Sequence, residues 1–377
     1  MRAILAIALT AISSQAAEKK YHQPPAEPAT IPHQYRHKTN SIPAAGPDEP
    51  RRPELSSAAA KNYLETGATL WSKQQNCFSC HTHGVYAAVR PALTPIWGPP
   101  PSGSREFLVE KAAELQHQSD ISGTEPTKLA YLTRALVNWD AQFSKSTSPE
   151  SNQALRFLFN NLQSESGHID ARNNWPPLNA TAYHGTIVTA MAIADAPNWR
   201  ASLNQKSDKT LLKKIDKLES YLRKTPPLND HERLLLLWAS TRIPSLLTQS
   251  ARDKTLEMIT RQQRPDGGWS IRTFATTETW GSPRRAAELA TEPNHDNPES
   301  DGYMTGLTLL VLADAGIPPT DPRIIRGIKW LKSHQRESGR WWTKSLNVDS
   351  RFHFITYSGT AYAALALARH DALGSVD

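Results

Sequence analysis

Three copies of one short motif, each at the end of an amphipathic helix, constrain the fold of this chain more than any other feature. The copies occupy residues 163–169, 263–269 and 335–341 and share the order Gln-x-x-x-Gly-x-(Trp or Ile). Three matches in one register indicate a repeated helix–turn unit. The Gln can cap a neighbouring helix end, the Gly turns the chain, and the large apolar residue packs across helices. We therefore predict a structural role for the motif.

From about residue 55 onward the sequence predicts helix after helix. Apolar residues recur at three- and four-residue spacing, and strand-like alternation is almost absent. Asn229 with Glu232 predicts an N-cap and its capping-box partner, while Gly316 with Pro318 and Pro319 predicts a helix end. Counting one helix before the cysteines, we expect about a dozen helices, mostly in hairpins. The predicted spans are 105–117, 127–143, 149–163, 181–194, 207–223, 230–242, 249–263, 301–314, 322–335 and 355–369.

The repeats resemble the QW motifs of the squalene–hopene cyclase and protein prenyltransferase repeat superfamily. The resemblance runs from about residue 55 to 372, and the stretches 175–186, 301–306 and 354–362 also look typical of it. It implies an all-α fold, with one α/α toroid of about six helical hairpins over residues 55–372. Several exported bacterial proteins of this kind carry a similar Cys-x-x-Cys-His-Thr segment.

The chain departs from the enzymes of this superfamily at the residues that do their chemistry. The Asp-x-Asp-Asp motif, which supplies the acid of squalene–hopene-type cyclases, is absent. Asp301 stands alone at a helix start, where an N-cap is the expected role. The zinc-binding Asp, Cys and His of prenyltransferase β-subunits have no match, because both cysteines lie elsewhere. Triterpene cyclisation therefore ranks last among the functions considered, since a fold alone does not determine function.

The two cysteines of the chain, Cys77 and Cys80, stand directly before His81 in a C-x-x-C-H pattern. This is the pattern to which haem is covalently attached in c-type cytochromes. The two thiols can both reach the haem vinyl groups, and His81 can then bind the iron as an axial ligand. Haem c is the predicted cofactor. A Cys77–Cys80 disulfide in a haem-free ligand-binding or scaffold protein is the alternative, and a zinc site is a weaker one.

A second axial ligand for such a haem is not evident from the sequence. The first methionine after the motif is Met191, much farther along the chain than in a compact cytochrome c. His83 is too close in sequence to reach the opposite haem face easily, which leaves His117 and His184 as candidates. A five-coordinate iron would favour ligand binding or peroxide chemistry, and a six-coordinate iron would favour electron transfer.

The N-terminal region predicts export. Residues 1–17 combine a positive start, a short apolar run and small residues, as in a secretory signal peptide. Residues 18–54 are rich in proline and predict a disordered linker. The apolar run is too short for a transmembrane anchor. The formal net charge of +7 is spread among acidic residues, so we expect no nucleic acid partner. A periplasmic or extracellular location follows.

The centre of the toroid is a second candidate site. Inner helices are expected to begin near Tyr183, Asp301 and Tyr357. Aromatic side chains at one end of a cavity would suit a flat apolar, isoprenoid-like ligand, while ordinary packing is the alternative. We therefore predict electron transfer or haem-dependent oxidation, with a redox partner protein. The residues predicted to line the cavity are Trp175, Tyr183, His184, Asp301, Tyr303, His353 and Tyr357.

Overall fold

Two kinds of helix alternate along the chain. The computed structural model describes residues 33–170, 176–178, 181–347 and 352–376. Some helices bury one stripe, as Lys209–Lys224 does with Leu211, Ile215, Leu218 and Leu222. Others, such as Gly302–Asp314, are apolar on all sides and buried almost throughout. A one-sided helix suits an outer layer, whereas a helix apolar all round must lie inside.

The helices are numbered here in chain order, with one short hairpin of strands in front of them. The strands are β1 (His33–His37) and β2 (Asn40–Pro43), which pair antiparallel. The helices are α1 (Ser57–Gln75), α2 (Val85–Val89), α3 (Thr94–Trp97), α4 (Ser104–Gln116), α5 (Glu125–Phe143), α6 (Pro149–Phe157), α7 (Ala182–Asp195), α8 (Trp199–Ser202), α9 (Lys209–Lys224), α10 (Asp230–Ser240), α11 (Gln249–Gln262), α12 (Pro283–Ala290), α13 (Gly302–Asp314), α14 (Pro322–His334) and α15 (Ile355–Arg369).

The apolar helices form a closed inner ring. Each of α2, α5, α7, α10, α13 and α15 packs against the next, and α15 packs against α2 to complete the circle. The amphipathic helices α1, α4, α6, α9, α11 and α14 surround this ring. In the part of the chain that the structure describes, this gives six outer–inner pairs. The predicted all-α toroid is confirmed.

The repeated motif links each outer helix to the next. In each copy the Gln side chain donates a hydrogen bond from Nε2 to the backbone carbonyl oxygen of the Gly, and this bond stabilises the turn. The same Gln Nε2 also donates to a backbone carbonyl oxygen in the following outer helix or at its N-cap. These bonds join Gln163 to Lys214 (2.8 Å), Gln263 to Arg323 (2.9 Å) and Gln335 to Ser56 (2.9 Å). The third bond joins the last repeat to the N-cap of α1, so it closes the outer ring.

The predicted helix spans agree with the observed ones to within two residues at each end. The span 149–163 is α-helical to Phe157 and continues as a π-helical turn over Leu158–Leu162. The predicted N-caps are also present: Asn229 Oδ1 accepts from Glu232 N at 2.9 Å, and Asp301 Oδ1 accepts from Met304 N at 2.8 Å. These features are local, so the sequence alone could predict them.

The N-terminal segment differs from the expected disordered linker. Residues 33–54 contain the β1–β2 hairpin and lie against the toroid, with Tyr35 fully buried. The buried Arg340 guanidinium pairs with Glu49 at 2.5 Å and donates to the carbonyl of Pro43 at 2.9 Å. A few side chains suffice because the ring supplies a preformed surface, which composition does not reveal. The predicted signal peptide, 1–17, and residues 18–32 lie outside the described residues.

Candidate functional site

The Cys77–His81 segment links α1 to the inner ring. Helix α1 ends at Asn76, whose left-handed backbone (φ 46°) turns the chain. Ser79 then caps a π-helical turn over Cys80–Gly84, accepting from Thr82 N at 3.2 Å, and this turn leads directly into α2. The segment therefore forms the outer-to-inner turn of the first hairpin. The other hairpins have their own turns at the corresponding position.

Both cysteines are free thiols in the structure. Cys80 is only 7% exposed, and burial raises the pKa of its thiol to about 12. Cys77 is partly buried, and burial raises the pKa of its thiol as well. Both sulfurs are therefore protonated at neutral pH, and in the folded protein they are poor nucleophiles. The structure does not contain the disulfide of the alternative interpretation.

His81 is held between aromatic rings. Its imidazole stacks on Phe354, with ring centres 4.3 Å apart, and meets the ring of Trp71 edge-on at 5.0 Å. Its backbone carbonyl accepts from Ser358 Oγ of α15 at 3.0 Å. The side chain keeps some exposed surface, but burial among these rings lowers its pKa to about 3, with His83 and Lys128 adding to the effect. The imidazole is therefore neutral, which is the form that binds a metal.

The N-terminal hairpin reaches this histidine through Thr82. His81 Nδ1 hydrogen-bonds with Thr82 Oγ1 at 3.0 Å, and Thr82 Oγ1 hydrogen-bonds with the Tyr35 hydroxyl at 3.2 Å. The Tyr35 ring also contacts Trp71 and Phe354, each with ring centres 6.1 Å apart. Strand β1 thus covers the rings that surround His81.

The residues of this segment fit a c-type haem by their donor chemistry. Cys77 and Cys80 stand at the spacing that two thioether bonds require. His81 is neutral, and its ring nitrogen Nδ1 hydrogen-bonds with Thr82. Iron ligands of this type bind through one ring nitrogen while the other is held by a hydrogen bond.

His83 belongs to a different environment from His81. Its Nε2 hydrogen-bonds with Ser72 Oγ at 2.9 Å, and its ring lies near those of Phe78 and Phe107. It lines a cavity of about 170 Å³ formed by α1, α2, α4, α5 and the turn that precedes α4. The buried Arg90, held by two bonds to Glu65, lines the same cavity.

The two suggested sixth ligands lie in unrelated places. His117 is exposed at the end of α4, and its Nδ1 is 2.7 Å from the carbonyl oxygen of Ala113 in the same helix. His184 is buried in α7, and its Nε2 hydrogen-bonds with the Tyr131 hydroxyl at 2.8 Å. Met191 is buried in the same helix.

The predicted cavity residues divide into separate clusters. His184 stacks in parallel on His231, with ring centres 6.0 Å apart, and His231 Nε2 hydrogen-bonds with the Tyr303 hydroxyl at 3.2 Å. Tyr357 instead lies beside Tyr35, with ring centres 5.5 Å apart. All four of these residues are buried, and Tyr357 belongs to a different aromatic cluster from the other three.

The remaining cavity candidates contact the periphery. The Tyr183 hydroxyl donates to the carbonyl of Leu222 in α9 at 3.3 Å. His353 Nδ1 accepts from Ser345 N at 3.0 Å, outside the cluster around His184. Trp175 lies outside the described residues.

Asp301 has a capping role. Besides the bond from Met304 N, its Oδ2 accepts from Ile271 N at 2.6 Å. Burial raises its pKa to about 6, while these backbone bonds act in the opposite direction. Both oxygens of the carboxyl group are engaged by the protein backbone, which agrees with the expected N-cap.

Sequence reasoning missed four residues of these two sites: Tyr35, Thr82, Tyr131 and His231. His231 could have been found, because it stands in the first turn of an inner helix, as His184 does. Tyr35 gave no such signal, since the proline-rich segment around it shows no helical or strand pattern.

Comparison with known proteins comes from solved structures. The chain is similar to the type II terpene cyclase MstE from Scytonema. A variant of MstE in complex with its substrate, geranylgeranyl dihydroxybenzoate, matches with a TM-score of 0.45 and 13% identity over 83% of this chain and 98% of that chain. Apo MstE matches with a TM-score of 0.42 and 13% identity over 82% of this chain and 98% of that chain. No family model and no curated protein matches this chain.

The helix order and the closed inner ring define an all-α, α/α toroid. Among the residues that the structure describes, no helix is long and apolar enough to cross a membrane.

Proposed function

We propose that this protein is an exported c-type haem protein that acts in electron transfer or in haem-dependent oxidation. The observation that carries the proposal is the Cys77–His81 segment itself, with two cysteines at haem-attachment spacing followed by a neutral histidine held between aromatic rings. A redox partner protein and an apolar, isoprenoid-like ligand are the proposed partners.

Each residue of the segment has a distinct task in this function. Cys77 and Cys80 would hold the haem covalently, and His81 would bind its iron. When bound, the haem supplies one-electron exchange or oxidation of a bound ligand. Phe354 and Trp71 orient the imidazole by packing on its face and edge.

The burial of Cys80 determines when attachment can occur. A sulfur on a residue 7% exposed and protonated at neutral pH reacts slowly with any large molecule. We therefore expect haem to be attached before the hairpin and α15 close over the segment, and we expect the folded haem-free protein not to take up haem covalently.

The test is production of the full chain together with the cytochrome c maturation machinery. The purified protein is denatured, and covalent haem is measured by its absorption spectrum and by intact mass. We expect haem to remain bound after denaturation. A colourless product with the mass of plain polypeptide would overturn the proposal, and a mass two hydrogens lower would indicate the disulfide protein instead.

Variants assign the individual roles. Cys77→Ser with Cys80→Ser should abolish retention of haem after denaturation. His81→Ala should change the spectrum of the iron, whereas His83→Ala is the matched control from the same turn and should leave it unchanged. Incubation with squalene tests the lowest-ranked function, since any cyclic triterpene formed would contradict the ranking.

A further inference from the structure

The buried side of His81 is connected to the N-terminal hairpin by a chain of hydrogen bonds. The chain runs from His81 Nδ1 to Thr82 Oγ1 (3.0 Å) and from there to the Tyr35 hydroxyl (3.2 Å). Gln34 Nε2 follows at 3.4 Å from the same hydroxyl. Tyr35 and Thr82 are 47 positions apart in sequence, so only the folded chain brings them together.

Such a chain has two possible directions, because each hydroxyl carries one proton. In one direction Gln34 donates to Tyr35, Tyr35 donates to Thr82, and Thr82 donates to His81 Nδ1. In the other direction His81 Nδ1–H donates to Thr82, Thr82 donates to Tyr35, and Tyr35 donates to the amide oxygen of Gln34. The second direction requires the Gln34 amide to be rotated by half a turn, which exchanges its oxygen and nitrogen.

The surroundings of Gln34 make both directions available. In the orientation found here its Oε1 is buried and has no hydrogen-bond partner, while Nε2 faces Tyr35. Rotation of the amide would give that oxygen the Tyr35 hydroxyl as its donor. The carboxamide is therefore the end of the chain that adapts, and the direction is decided at His81.

We infer that Tyr35 and Thr82 are positioning residues that hold the Nδ1-protonated form of His81 in place when Nε2 binds iron, and that they orient its ring. A histidine that binds iron through Nε2 must carry its proton on Nδ1, and an acceptor at Nδ1 holds this form in place. Thr82 is that acceptor, and Tyr35 accepts in turn from the Thr82 hydroxyl. The N-terminal hairpin is thus part of the haem site. This role rests on the proposed haem attachment, but the hydrogen-bonded chain can be tested separately.

The first measurement is the reduction potential of the haem-loaded protein and of its variants. Thr82→Val and Tyr35→Phe keep the side-chain volume nearly constant and break the chain. A histidine that loses its acceptor becomes a weaker ligand for ferric iron, so the potential should rise. A tenfold loss of preference for ferric over ferrous iron corresponds to about 59 mV for one electron. Thr82→Ser retains the hydroxyl and should restore the wild-type potential.

The matched control is Tyr63→Phe. Tyr63 is buried in the same aromatic cluster, with its ring centre 5.4 Å from that of Tyr357, but its hydroxyl is not a member of the chain that runs from Gln34 to His81. This variant should leave the potential unchanged. An equal rise in the reduction potential of Tyr63→Phe would overturn the inference, because the effect would then come from packing. An unchanged potential in Tyr35→Phe and Thr82→Val would overturn it too, because the chain would then have no effect on the iron.

The second measurement does not need the haem. Long-range ¹H–¹⁵N correlation of His-labelled protein carrying Cys77→Ser and Cys80→Ser reports which nitrogen of His81 holds the proton. We expect Thr82→Val to shift the His81 resonances and change the population of the two forms, and Thr82→Ser not to do so. Unchanged resonances in Thr82→Val would refute the chain. If the wild-type protein takes up no haem, the proposed function fails while this result still decides the chain.

Discussion

Replacing Gly339 with alanine tests how the toroid is closed. Gly339 lies in the last repeat turn, at φ +93°, and packs against the first turn of α1. A Cβ added there would lie 2.2 Å from the carbonyl oxygen of Ala59 and 2.3 Å from its carbonyl carbon. Real Cβ atoms do not approach backbone this closely, so the turn and the helix would have to separate.

The cost of this separation can be estimated from its parts. A left-handed backbone costs a non-glycine residue about 1–2 kcal/mol. Moving the turn also weakens the two bonds between Gln335 and Ser56, at 2.7 and 2.9 Å, each worth about 1 kcal/mol. We therefore expect Gly339→Ala to lower the free energy of unfolding by roughly 3–4 kcal/mol.

Two other glycines provide matched controls. Gly316 also has a left-handed backbone, at φ +77°, but nothing lies within 4 Å of its added Cβ. Gly316→Ala should therefore cost only the backbone part, about 1–2 kcal/mol. Gly46 has no such backbone and equally open surroundings, so Gly46→Ala should change stability by less than about 0.5 kcal/mol.

The measurement is urea unfolding followed by far-UV circular dichroism and tryptophan fluorescence. A destabilisation of Gly339→Ala no larger than that of Gly316→Ala would refute the reasoning, because the contact with Ala59 would then not hold the ring together. The same turn binds the N-terminal segment through Arg340, so Gly339→Ala should also expose that segment to proteases.

Three further predictions concern the buried polar groups. Burial lowers the pKa of His184 from 6.5 to about 4. Its contribution to stability is therefore fully present above pH 6.5 and is lost as the pH falls from 6.5 to 4, by about 3 kcal/mol in total. Urea midpoints of the wild-type protein should fall over this pH range, and those of His184→Gln should fall less steeply. Arg340→Gln should cost about 3 kcal/mol, because it leaves the Glu49 carboxylate, whose side chain is only 14% exposed, without its charged partner, and limited proteolysis should then cut within residues 33–54. Asp301→Ala should cost about 2 kcal/mol in urea unfolding through the loss of its cap, without reducing covalent haem, whereas an unchanged midpoint would contradict the capping role.

The hairpin and the Cys77–His81 segment depend on each other in this structure. Tyr35 packs on Trp71 and Phe354, the same two rings that hold His81. A change that releases the hairpin should therefore reach the iron ligand through packing as well as through Thr82.

The sequence by itself determined the helices and their order, and its resemblance to the cyclase and prenyltransferase repeats predicted the toroid. Helical periodicity, N-caps such as Asn229 and Asp301, and the Gln-x-x-x-Gly turns are set by residues a few positions apart, and a repeated unit must stack on its neighbours to bury its apolar face. Of the candidate site, only the segment 77–81 was predictable from the sequence. Cys77, Cys80 and His81 lie within five consecutive positions, so their pattern is visible without a fold.

Only the tertiary structure decided what surrounds those residues. The Tyr35–Thr82 bond spans 47 positions and the Gln335–Ser56 bond spans 279. No local pattern encodes either pairing, because both depend on the closure of a ring whose first and last helices meet. The same holds for His184 and His231, which stack because successive inner helices place their first turns side by side. The N-terminal segment is ordered for this reason too, since the surface to which it binds does not exist before the ring closes.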